Sequence, residues 1–89
     1  AIDDYTKAIE LDPKDTYAFF YRGGAYAHQG LPTVACSDYY QAGILLLKQN
    51  NTPQALKCVD RMKKADPSSS FINKLMDQIN KYGRAQEVF

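Results

Sequence analysis

The chain is 89 residues long, which is below the usual size of one domain, so we expect a single compact unit or a piece of a larger protein. Its 45% hydrophobic and 24% charged residues are typical of a folded globular chain rather than a disordered one. The net charge of +1 gives no reason to expect a nucleic-acid surface, and the longest aliphatic run, Ile44–Leu47, is far too short to cross a membrane. We therefore expect neither nucleic acid nor a membrane as a partner.

A proline turn separates the first two predicted helices. Apolar residues at helical spacing predict a helix from Ala1 to Leu11, and Asp12–Pro13 ends it because proline lacks an amide donor and disfavours a helical residue before it. Asp15 or Thr16 can cap a second helix, which runs to Gln29 and ends at Gly30.

Two further helices follow in the middle of the chain. Pro32 predicts the first turn of a third helix that reaches Lys48 or Gln49, and Asn50–Asn51 interrupts it. Thr52 is then predicted to cap a fourth helix, which begins at Pro53 and ends near Ala65.

The fifth helix is predicted from Phe71 to Tyr82, with Ser69 or Ser70 as its cap, and the tail from Gly83 extends it or frays. No stretch alternates with period two, so no strand is predicted. Short turns make neighbouring helices antiparallel, and the expected fold class is therefore all-α.

The sequence repeats itself with a period of 34 residues. Six of the fourteen positions from 1 to 14 are identical to the residue 34 positions later, among them Ala8 with Ala42 and Tyr5 with Tyr39. Small alanines let a neighbouring helix approach closely, and the aromatic residue between them fills the next groove. The repeat therefore predicts an equivalent helix contact in both segments, with Ala35 and Ala42 buried against the second helix.

A period of 34 residues built from helix pairs is that of the tetratricopeptide repeat, and the chain resembles this family. Residues 1–13, with Ala-x3-Tyr-x2-Ala-x4-Pro, are similar to the second helix of one repeat. Residues 19–30, with Phe-x2-Arg-Gly-x2-Tyr-x3-Gly, are similar to the first helix of the next, which Ala-x3-Tyr-x2-Ala at 35–42 completes. Arg22 occupies a position where leucine is commonest in the family.

The resemblance implies antiparallel helix-turn-helix repeats that form a short right-handed α-solenoid of about five helices. It implies one domain over residues 1–89, with the second half of a repeat at 1–15, a full repeat at 16–49, and a degenerate repeat or capping helices at 50–89. In the alternative register the third helix is shared between two repeats. The likeness is strong over residues 1–49 and weak beyond.

Members of this family generally bind peptides or partner proteins in a concave groove lined by the first helices of their repeats. The resemblance therefore implies a protein or peptide ligand for this chain. At the matching positions the second helix presents Tyr17, Phe20, Tyr21, Gly24, Ala27 and His28. Aromatic side chains supply contact area at low entropic cost, which suits them to anchoring a peptide. Alternatively, these rings only pack against the first helix and a further helix.

The chain begins with the second helix of a repeat, so Ile2, Tyr5 and Ile9 are expected to be covered on one side only. Either the parent protein continues upstream, which we favour, or another molecule covers this face, for instance in a homodimer through the first helix. The alternative function is accordingly structural: an assembly or capping segment that self-associates through exposed repeat ends.

Basic residues of the fourth helix, Lys57, Arg61 and Lys64, lie on one helical face. They form either a patch for an acidic partner or, the interpretation we favour, a solvated outer face opposite the aromatic groove. Some family members clamp a terminal carboxylate with an asparagine before the arginine of the first helix, but here Tyr21 precedes Arg22, so we do not expect that clamp.

The residue inventory disfavours catalysis and metal binding. Cys36 and Cys58 have no metal-site spacing and are expected to be reduced and buried, and His28 is the sole histidine. No glycine-rich phosphate loop occurs, so we expect no enzyme activity and no cofactor. The compartment is left unassigned, although free cysteines and the lack of a visible signal peptide favour the cytoplasm.

Overall fold

The computed structural model describes the backbone of residues 2–87 and the side chains of residues 2–82. The helices are α1 (Ile2–Leu11), α2 (Thr16–His28), α3 (Pro32–Lys48), α4 (Thr52–Ala65) and α5 (Ser70–Glu87). No strand occurs between residues 2 and 87, so the prediction of an all-α chain with about five helices is confirmed. In this part of the chain no helix combines the length and the apolar character that crossing a bilayer requires.

Side-chain caps begin two of these helices. Asp15 caps α2, since its carboxylate accepts a hydrogen bond from the amide of Ala18 at 3.1 Å. Asn51 caps α4 by accepting from the amide of Gln54 at 3.3 Å. The prediction that Thr52 is this cap is wrong by one residue: Thr52 is helical, because the asparagine side chain ahead of it already reaches the first turn.

Two residues with positive φ separate the middle helices. Gly30 after α2 has φ of +77° and Asn50 after α3 has φ of +60°, values that glycine and asparagine adopt most readily. Before α5, the Ser69 hydroxyl accepts a hydrogen bond from the amide of Phe71, as predicted for a serine cap. The helix continues through position 83 to Glu87. Ala1, the first residue of the repeat motif, lies outside the described residues.

The helix α3 lies at the centre of the molecule and packs against α2, α4 and α5, whereas α1 packs against α2. The molecule is flat, with extents of 42 × 30 × 15 Å. Its core is formed mainly by α3, α4 and α5: Ala35, Cys36, Tyr39, Ala42, Leu46, Leu47, Ala55, Cys58, Val59, Met62, Ile72, Leu75 and Ile79. None of the described residues of α1 is buried. The central helix therefore fixes the positions of α2 and α4, on which the candidate site depends.

Small residues set the spacing between helices. A β-carbon built on Gly23 of α2 would lie 3.1 Å from the carbonyl oxygen of Ala35 on α3. Ala35 and Ala42 are both fully buried, as the repeat pattern predicted. On the other side of α3, a β-carbon on Gly43 would lie 2.5 Å from Cδ2 of Leu75. At both positions the absence of a β-carbon on glycine leaves room for the neighbouring helix.

A partly buried ion pair ties the first three helices together. The Arg22 guanidinium donates two hydrogen bonds of 2.8 Å to the Asp38 carboxylate on α3, and a third of 3.2 Å to the Thr6 hydroxyl on α1. Its flat group also lies 5.8 Å from the ring centres of Phe19 and Tyr26. The hydrogen bonds to Asp38 raise the pKa of Arg22. The partner on α3 therefore explains why an arginine can lie at this position between the helices.

Both cysteines are buried and free, as predicted. Burial raises the pKa of each thiol, that of Cys58 to about 11. At neutral pH the thiols are therefore protonated, and they behave as small apolar core side chains.

Candidate functional site

A groove lies between α2 and α4. It has two pockets, and we call the whole surface the α2–α4 groove. Each pocket takes its walls from both helices and part of its floor from α3. One pocket, the aromatic end, has a volume of about 210 Å³ and is lined by Thr16, Tyr17, Phe20, Tyr21, Leu46, Asn51 and Gln54. The other, the cationic end, has a volume of about 390 Å³ and is lined by Gly24, Ala27, His28, Tyr39, Arg61, Lys64 and Ala65.

The rings of the aromatic end form an ordered stack. Tyr21 lies between Tyr5 and Tyr17, with ring centres 6.1 and 6.4 Å apart and planes within 30° of parallel. Phe20 meets Tyr21 edge-on at 5.8 Å and the buried Tyr39 at 5.5 Å. Even so, Tyr17 is 73% exposed and Tyr21 is 52% exposed. These rings are thus held in place by one another while large parts of their faces contact solvent.

Amides and a hydroxyl supply the polar groups of the aromatic end. Thr16 accepts a hydrogen bond from the side-chain amide of Gln49 at 3.3 Å. The Asn51 side-chain oxygen caps α4, so the NH₂ group is the donor that this amide can offer. Gln54 stands one turn further along the same wall. No charged side chain is among the described residues that line this pocket, which therefore suits apolar side chains and backbone carbonyl groups.

The cationic end differs in its charge. Arg61 and Lys64 of α4 face Gly24, Ala27 and His28 of α2, and no carboxylate belongs to its described lining. The Arg61 guanidinium lies 5.7 Å from the ring centre of Phe20, a residue of the aromatic end. Arg61 therefore stands at the boundary of the two pockets and makes one continuous surface of them.

All six site residues predicted from the sequence lie in the α2–α4 groove. The three rings are at the aromatic end, and the other three residues are at the cationic end. The structure also contains one contact of the alternative, in which the rings pack against the first helix, because Tyr21 stacks on Tyr5 of α1.

The prediction that the basic residues lie opposite the aromatic groove is wrong for Lys64, which lines the same pocket as His28. Arg61 lines that pocket as well, whereas Lys57 is exposed outside both linings. The reason is that α4 lies beside α2 on the same side of α3. The aromatic surface and the basic surface are therefore parts of one groove rather than alternatives.

The wall of the groove that α4 contributes was not predicted from the sequence. Gln54, Arg61 and Ala65 recur at helical spacing, so the pattern marks them as one helical face. These residues face α2 because both helices pack on α3. No local sequence pattern predicts that arrangement. Asn51 was interpreted only as a helix breaker, although it both caps α4 and lines the aromatic end.

Among the described residues, no three histidine, cysteine or acidic side chains come together as a metal-binding group would. No protein-family model matches the chain, and no curated protein and no solved structure is significantly similar to it. The chemistry of the α2–α4 groove is therefore the observation from which a function can be argued.

Proposed function

We propose that the chain is a non-enzymatic protein-interaction module of the tetratricopeptide-like kind, which binds a peptide or an extended segment of a partner protein in the α2–α4 groove. The observation that carries the proposal is the exposed, stacked aromatic surface of α2, which forms one wall of a pocket. Partner proteins are usually anchored by a few such rings.

The order of helix contacts supports the repeat arrangement. Each helix packs against the next one in the chain, and α3 also packs against α5, as stacked helical hairpins of a right-handed solenoid would. The close approach of Gly23 to Ala35 lies where the repeat motif places its small residues. In this proposal residues 1–15, 16–49 and 50–89 are successive repeat segments.

The energetics of the groove also favour a ligand. Tyr17 and Tyr21 expose much of their surface, so covering them would remove a large apolar area from water. Because each ring already stacks on a neighbour, little side-chain freedom is left to lose on binding. A ligand on these rings therefore gains contact area at low entropic cost.

The test begins with a displayed peptide library selected on the purified chain. Selected peptides are expected to lose about thirtyfold in affinity, or about 2 kcal/mol, when a central ring is truncated in Tyr21→Ala. Tyr82→Ala is the matched control, since Tyr82 is an exposed tyrosine of α5 outside the groove. Failure to enrich any peptide, or equal binding by both variants in calorimetry, would refute the proposal.

A second candidate function is assembly through α1. None of its described residues is buried, Ile2 and Ile9 are half-buried, and Leu11 is 88% exposed. Exposed apolar surface of this kind on one helix favours a homodimer closed through α1. Sedimentation velocity separates the two candidates, because a monomer that binds selected peptides supports the groove and a tight dimer supports assembly.

A further inference from the structure

We propose that the groove's ligand is an acidic segment of a partner protein that carries an aromatic or large apolar side chain about four residues away from a glutamate or aspartate pair. This inference rests on the proposed function and adds the chemistry and spacing of the ligand. The apolar side chain occupies the aromatic end, and the carboxylates occupy the cationic end.

Charge complementarity is the evidence that the ligand is acidic. Among the described lining residues, the aromatic end has no charged side chain, and the cationic end has Arg61 and Lys64 without a carboxylate. Within the described part of the chain the one ion pair joins Arg22 to Asp38, so neither cation of the groove is paired with a described carboxylate. A ligand carboxylate would meet both of them.

Arg61 is suited to this task by its position. Its guanidinium lies over the Phe20 ring at 5.7 Å, which places a flat fork of donors beside the aromatic pocket. Such a fork binds a carboxylate through two parallel hydrogen bonds. The cationic end lies toward the carboxyl ends of α2 and α4, where helix dipoles repel anions, so the side-chain cations must supply the attraction.

The relative direction of α2 and α4 determines the spacing between the apolar side chain and the carboxylates of the ligand. Residues 16–21 of α2 share a pocket with 51–54 of α4, and 24–28 share one with 61–65, so the two helices run the same way along the groove. The centres of the two sets on α2 are seven to eight residues apart, or about 11 Å at 1.5 Å per residue. An extended peptide covers about 11 Å in three to four residues at 3.3 Å each.

Synthetic peptides test the proposal directly. Each is acetylated and amidated and contains one phenylalanine and two adjacent glutamates, separated by zero to six serines in either order. Because the amide removes the terminal charge, only side-chain carboxylates can supply the negative charge. We expect the tightest binding with two or three intervening serines, and about tenfold weaker binding when glutamine replaces glutamate.

Two pairs of protein variants remove the same positive charge, one pair inside the groove and the other outside it. Arg61→Gln with Lys64→Gln is expected to weaken the glutamate peptide about tenfold and to leave the glutamine peptide unchanged. The control pair, Lys57→Gln with Lys63→Gln, removes the same charge from exposed positions of α4 outside both pockets and is expected to have less than a twofold effect.

Three outcomes would overturn the inference. Equal losses in the two variant pairs would mean that only overall charge matters. Affinity that depends on phenylalanine but not on glutamate or its spacing would leave the proposed groove function intact while removing its acidic ligand. Binding by no peptide of the series would also reject the acidic ligand, and the library selection with Tyr21→Ala decides the groove function separately.

Discussion

Replacing Arg22 by leucine tests what holds α1, α2 and α3 together. In the proposed tetratricopeptide-like arrangement this is a position where leucine is commonest, so its shape is expected to suit the site. The change nevertheless strands the Asp38 carboxylate, whose side chain is 6% exposed and accepts both 2.8 Å hydrogen bonds from Arg22. Water cannot easily replace those two donors at such a depth.

The expected loss is a large part of the total stability. Removing one partner of a buried ion pair typically costs about 3–5 kcal/mol. Arg22 is 18% exposed, so we take the lower figure of about 3 kcal/mol. For 89 residues, about 0.05–0.15 kcal/mol each gives a free energy of unfolding of roughly 4–13 kcal/mol. A loss of 3 kcal/mol lowers Tm by roughly 12 °C or more in a domain of this size.

Urea unfolding followed by circular dichroism measures the effect. The double variant Arg22→Leu with Asp38→Ala removes both charges and is expected to recover about 2 kcal/mol of the loss, because no carboxylate is then stranded. Arg22→Lys keeps the charge but not the fork and is expected to lie between wild type and Arg22→Leu. A loss below about 1 kcal/mol in Arg22→Leu, or no recovery in the double variant, would refute the reasoning.

Three further changes address packing, thiol chemistry and self-association. Gly43→Ala is expected to overpack the contact between α3 and α5 by about 1–3 kcal/mol, against which the higher helix propensity of alanine returns about 1 kcal/mol, so a variant more stable than the wild type in thermal melts would contradict the observed contact. Because burial raises the pKa of Cys58 to about 11, its thiol is expected to react with iodoacetamide only as fast as the chain unfolds; rapid labelling of the folded chain in mass spectrometry would contradict this. Ile2→Ser with Ile9→Ser is expected to weaken concentration-dependent self-association in sedimentation, and a wild-type chain that stays monomeric at high concentration would rule the association out.

Local sequence signals are sufficient to predict the helices and most of their ends. Asp15, Gly30 and Asn50 act through the hydrogen bonds and backbone angles of their immediate neighbours, so short segments contain the information that places them. The same holds for Pro32 at the start of α3. Even the error at Thr52 is of one residue, since two adjacent side chains could both cap the helix and geometry chose Asn51.

The six residues assigned to the groove came from the resemblance to the tetratricopeptide repeat, whose matching positions fall on one face of α2. The pattern could not place the opposite wall. Helical period identifies which residues of α4 share a face, but the partner of that face depends on how α2 and α4 both pack on α3. Arg61 and Lys64 were therefore assigned to an outer surface, although they line the groove.

The pairing of Arg22 with Asp38 is of the same kind. The residues are sixteen positions apart on different helices, and neither helix alone gives its charge a partner. Helix propensity and capping act over about one helical turn, so a short segment of sequence is enough to predict them. Contacts between helices depend on the spacing that buried small residues such as Gly23 and Gly43 allow, so they are fixed when the helices pack and not by any single segment.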